Sequence, residues 1–122
     1  MDEPVSDRLL DQRLRNRMIE ELLCLTDWEA TLAWGAEEYF NSFFHVFPDE
    51  PPLRPNSALT EGERAALAAV LSLISAAANG TLRQVTKAEL IASGWPARIR
   101  PAAQEAVALM LARGKFSDEV EE

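Results

Sequence analysis

His45 and Cys24 are the single histidine and the single cysteine of the chain, and they bound the catalysis it could attempt. Nucleophilic chemistry would pair a Ser or Cys with His45 as base, yet His45 stands among Phe43, Phe44 and Phe47 at the end of a helical pattern. A helix C-terminus stabilises an imidazolium, so capping the last carbonyls, a core hydrogen bond or contact with a partner is the simpler role. Cys24, between Leu23 and Leu25, reads as a small buried hydrophobe in a reducing compartment. A metal centre needs several His, Cys or carboxylate ligands at helical or turn spacing, and this chain supplies little but carboxylates. Glu37 and Glu38 are adjacent and point to different sides of a helix, and no Glu-x-x-His pattern occurs. The five glycines stand singly and form no phosphate cradle. Neither a cofactor nor a metal is expected, and binding is favoured over catalysis.

Binding chemistry is concentrated in one interval. No Lys or Arg occurs between Arg17 and Arg54, whereas Glu20, Glu21, Asp27, Glu29, Glu37, Glu38, Asp49 and Glu50 all do. Seven aromatic residues share that interval (Trp28, Trp34, Tyr39, Phe40, Phe43, Phe44 and Phe47), leaving only Trp95 and Phe116 outside it. At 100° per residue most of these rings fall on one apolar stripe, but Trp34 lies well off it, one turn before Glu38. Trp34 either packs beneath the following proline-rich segment or anchors a partner within an acidic rim, the usual anatomy of a binding hot spot. The expected partner-binding set is Glu29, Trp34, Glu37, Glu38, His45, Asp49 and Glu50.

Helices must position these residues. Ser6 and Asp7 can cap a first helix to about Leu25, with Leu10, Leu14, Met18, Leu22 and Leu25 on one face. Thr26 to Glu29 has capping-box spacing for a second helix, reaching about Phe44 along a stripe of Trp28, Leu32, Ala36, Tyr39 and Phe43. Pro48, Pro51, Pro52 and Pro55 remove backbone donors and fix φ, which makes 45–59 an extended surface loop. Thr60 to Glu63 repeats the box before a helix that buries Leu67, Val70, Leu71, Ile74 and Ala77 and ends at Asn79-Gly80. Thr86 to Glu89 opens a short helix that Gly94 terminates. Pro96 suits the first turn of a last helix, with Ala103, Val107, Met110 and Leu111 inward, Pro101 bending or delaying its start and Gly114 closing it.

The expected fold is therefore all-α, a compact bundle of four or five helices with a long proline-rich loop between helices two and three. One domain, residues 1–116, is expected, with 117–122 as a frayed acidic tail. The formal net charge of −8 opposes any broad grip on nucleic acid and suits a basic partner, although it also serves solubility. The longest apolar tract, Ala65 to Ala78, falls short of the roughly 20 residues that cross a bilayer, and no secretory signal is recognisable. Cytoplasmic residence without membrane contact is expected, as monomer or homodimer.

Leu59-Thr60-Glu61-Gly62-Glu63-Arg64-Ala65-Ala66-Leu67, Trp95, and the run Ala102 to Gly114 resemble a family of short helical bacterial proteins. That family confers immunity to secreted toxins, including those of contact-dependent growth inhibition systems. The resemblance covers the second half of the chain and implies a cognate toxin domain as partner; it transfers no functional residue. Many such toxins are basic nucleases, for which an acidic face provides steering and complementarity. The alternative from the residues is a homodimeric or adaptor-type helical interaction domain with a regulatory role.

Overall fold

The computed structural model of the chain describes residues 5–49, 52–81 and 85–122. These form six helices and no strand: α1 (Asp7–Thr26), α2 (Trp28–Leu32), α3 (Ala36–Phe44), α4 (Glu61–Gly80), α5 (Lys87–Ser93) and α6 (Trp95–Arg113). The elements start where local chemistry satisfies the free amides of a first turn. Ser6 Oγ accepts from Leu9 N at 3.2 Å to open α1. Thr60 Oγ1 accepts from Glu63 N at 3.1 Å while Glu63 Oε1 accepts from Thr60 N at 3.0 Å, a reciprocal box that opens α4. Thr86 and Glu89 do the same for α5. Gly94, at φ +81°, closes α5 and begins α6 in one residue, a backbone conformation natural to glycine.

α6 packs most extensively against α1 and α4, while α2 and α3 lean on each other and on α1, and α5 rests on α6. The expected inner face of α4 is buried throughout, and Tyr39 and Phe43 of α3 join it with Ile19, Leu22 and Leu25 of α1. The 45–59 segment is non-helical where described except for the turn that ends α3, but it does not simply lie over the surface. Phe47, Leu53 and Ala58 are buried, and Asn56 and Ser57 are tied to Asp11 of α1.

Four expectations need correction. The second helix is two helices, because Gly35 adopts φ +108° and ψ 156°, outside any helical region, and α2 winds down through Ala33, Trp34 and Gly35 amides bonded three residues back. This split raises the helix number to six. The box at Thr26 does not form, since α1 continues through Thr26 and its hydroxyl donates to Leu23 O at 2.8 Å. Leu10 and Leu111 face outward, at 50% and 46% exposure. The first half of α1 instead turns Gln12, Arg15 and Asn16 inward, because the chain's last residues return along it. The Gln12 side chain donates to the carbonyls of Ser117 and Val120, both at 3.0 Å, and that of Asn16 to the carbonyl of Phe116 at 2.7 Å, so side-chain donors of α1 bond to the segment expected to fray.

Candidate partner-binding surface

The break at Gly35 puts Trp34 at a corner between α2 and α3, where the residue is 83% exposed. Burial beneath the proline-rich segment does not occur. A groove of about 370 Å³ runs beside it, lined by Leu23, Cys24 and Asp27 at the end of α1, Ala30 and Thr31 of α2, Trp34, and Glu38 and Ser42 of α3. The linings follow helical spacing: Leu23 and Asp27 are one turn apart, as are Glu38 and Ser42. Thr31 Oγ1 donates to the carbonyl of Cys24 at 2.9 Å and joins α2 to α1, and the Ser42 hydroxyl donates to the Glu21 carboxylate and joins α3 to α1. The groove therefore lies between three helices tied by these hydrogen bonds, with apolar and polar side chains both lining it.

Its potential is negative. Asp27, Glu37 and Glu38 are exposed, and no ion pair among the described residues engages any of them. Burial, and next the neighbouring Glu21, raises the pKa of the Cys24 thiol, with Thr31 opposing, so Cys24 stays protonated at neutral pH and is no activated nucleophile. It is half-buried on the groove wall rather than sunk in the core as its leucine neighbours predicted.

The expected binding residues do not form one surface. Trp34 and Glu38 line the groove and Glu37 is exposed on the same first turn of α3. Glu29 is instead engaged by Arg100 of α6, whose hydrogen bond is the main cause of its lowered pKa. His45 is the C-cap residue of α3 and is exposed, lining a different cavity of about 210 Å³ with Phe44, Phe47, Leu53 and Arg54. Asp49 is exposed, and its carbonyl accepts from Ser75 Oγ at 2.8 Å. Glu50 lies outside the described residues. Asp27, read from sequence as part of a cap, is the acidic groove residue absent from the expected set. Its signal was its place one turn after Leu23 and one turn before Thr31.

Sequence reading also missed an ionic hub that joins α1, α4 and α6. Glu63 accepts from Arg15 Nη2 at 2.7 Å and from Arg113 Nη1 at 2.6 Å, and both Arg15 and Glu63 are fully buried. Arg15 also donates to the carbonyls of Gly114 at 2.6 Å and Met110 at 2.9 Å, closing the end of α6. The Phe116 ring covers the Arg15 guanidinium at 4.6 Å. Burial alone would raise the Glu63 pKa, but the Arg15 hydrogen bond, the Thr60 amide and the two guanidinium charges outweigh it and hold it below the usual carboxylate value. With its carboxylate saturated and out of solvent, the hub is structural. Among the described residues no three His, Cys, Asp or Glu gather as metal ligands, and no helix is long and apolar enough to cross a membrane.

No protein-family model, curated protein or solved structure matches this chain.

Proposed function

We propose that this protein is an immunity protein that binds and neutralises a cognate bacterial toxin domain in the cytoplasm. The toxin is a basic protein, of the nuclease class, and the acidic groove beside Trp34 receives it. One observation carries this reading: Trp34 is 83% exposed at the corner between α2 and α3, among carboxylates that no cation of the described residues neutralises. Leaving so large a ring in water forgoes about 2–3 kcal/mol of burial, typical of a large apolar side chain, which a partner would recover. Surrounding acids add steering toward a positive surface.

The same charge opposes the homodimeric alternative. A two-fold contact centred on Trp34 would set Asp27, Glu37 and Glu38 against their own copies, and like charges across an interface are repulsive.

The test is capture of bound proteins from the native host, followed by expression of each captured protein alone and together with this chain. The reading requires a basic protein that arrests growth alone and is harmless in co-expression. Trp34→Ala should weaken that complex by about thirtyfold or more, the loss expected of a hot spot near 2 kcal/mol, without altering the melting temperature. Capture of only this chain itself, or only of non-toxic proteins, would sink the immunity reading.

A further inference from the structure

The chain treats its three tryptophans unequally. Trp28 carries the Arg100 guanidinium 5.1 Å from its ring, and the same guanidinium bonds to the adjacent Glu29 carboxylate. Trp95 carries Arg98 at 4.4 Å. Arginine over an aromatic ring recurs a third time at Phe116, where the guanidinium of Arg15 is shared with the Glu63 carboxylate. Ring plus carboxylate thus holds the guanidiniums of Arg100, Arg15 and Arg113, whereas Arg98 has the ring alone. Trp34 has the same surroundings, with Glu38 one turn away and Asp27 on the same groove, yet among the described residues no arginine or lysine stands over it.

We infer that the groove beside Trp34 is a receptor for one arginine side chain of a protein partner. Leu23 and Ala30 offer apolar wall to the aliphatic stem. The indole face attracts the guanidinium through its quadrupole, and the carboxylates of Asp27 and Glu38 accept its N–H groups. At about 370 Å³ the groove is near the lower end of the roughly 300–1,000 Å³ usual for small-molecule sites, a size that suits one long side chain. Arginine is favoured over lysine because a planar fork can stack and hydrogen-bond at once, which a compact ammonium cannot. The inference rests on reading this face as a partner surface and adds which side chain the partner presents.

The measurement is a titration of the isotope-labelled full chain with N-acetyl-arginine amide, followed by the indole N–H of Trp34 and the amide of Thr31. Saturable shifts at these two signals are expected in the millimolar range typical of a single side chain, about 1–50 mM. N-acetyl-lysine amide should shift them less, and the uncharged citrulline analogue hardly at all. The pair Asp27→Asn and Glu38→Gln should weaken arginine binding about threefold to tenfold, as expected for exposed ion pairs, whereas Glu119→Gln with Glu121→Gln should not. Absence of saturation, an equal response to citrulline, or indifference to the groove variants would overturn the proposal. The two readings fail separately. A toxin whose affinity ignores both Trp34→Ala and the groove pair removes the arginine receptor but keeps immunity, whereas arginine binding without any captured toxin keeps the receptor and removes immunity.

Discussion

Glu63 does two jobs with one carboxylate, and only one of them is local. Its Oε1 closes the box with Thr60, three residues away, while both oxygens are held by arginines 48 and 50 residues distant in the chain. A capping glutamate is normally an exposed group whose removal costs a fraction of a kcal/mol. Here its loss leaves Arg15 charged and buried without a carboxylate, so Glu63→Gln should destabilise by about 3–5 kcal/mol in chemical denaturation, as for other broken buried pairs. The acid dependence follows from the same contacts. Because the folded pKa of Glu63 is lowered, its contribution is fully present above the unfolded value near 4.5 and is lost as pH falls through the lower folded pKa. Thermal melts of the parent chain should therefore drop steeply below about pH 4, and Glu63→Gln should show a shallower drop over the same window. Equal acid sensitivity in both proteins would mean that other carboxylates carry the effect.

Gly35 governs the candidate site at the scale of the element. The stripe Trp28, Leu32, Ala36, Tyr39 and Phe43 points inward as its 3.6-residue spacing predicts, although the helix carrying it is broken. What the break changes is the other face: it moves Trp34 to an open corner and turns Glu38 toward the groove. A Cβ at Gly35 would meet nothing within 4 Å, so the barrier to substitution is the positive φ alone. Gly35→Ala should cost about 1–2 kcal/mol and favour a continuous helix through 33–35. Circular dichroism would gain helix signal, and Trp34 fluorescence would shift in a Trp28→Phe, Trp95→Phe background. A variant with unchanged stability and spectrum would show that the break does not depend on glycine.

Across the whole molecule, the formal charge of −8 is unevenly placed. Among the described residues Glu63 is the one acid of the second half in an ion pair, held by Arg15 and Arg113, and Glu29 and Glu20 are each reached by a base from α6 or just beyond it. Asp27, Glu37 and Glu38 are left facing solvent around Trp34. Association with a basic partner should accordingly be steered. Raising salt from about 50 to 500 mM should slow the on-rate at least about tenfold while changing the off-rate little, because screening acts on the long-range approach more than on the buried contact. An on-rate insensitive to salt would argue that the aromatic contact alone directs binding.

Sequence by itself determined whatever is decided within about four residues. The α4 and α5 boxes, the inner face of α4 and the closing glycines were legible because caps and helical periodicity involve neighbours only. The acidic, base-free interval was legible because it is composition. Contacts between distant segments were decided by tertiary structure alone. The polar face of α1 became interior because residues 116–122, some 100 positions away, lie along it, and Arg15 met Glu63 because α1 and α4 converge on the end of α6. Exposure of Trp34 belongs to the same class. Local propensity offered burial or display, and the choice fell to a single glycine whose conformation depends on how α2 and α3 both pack onto α1.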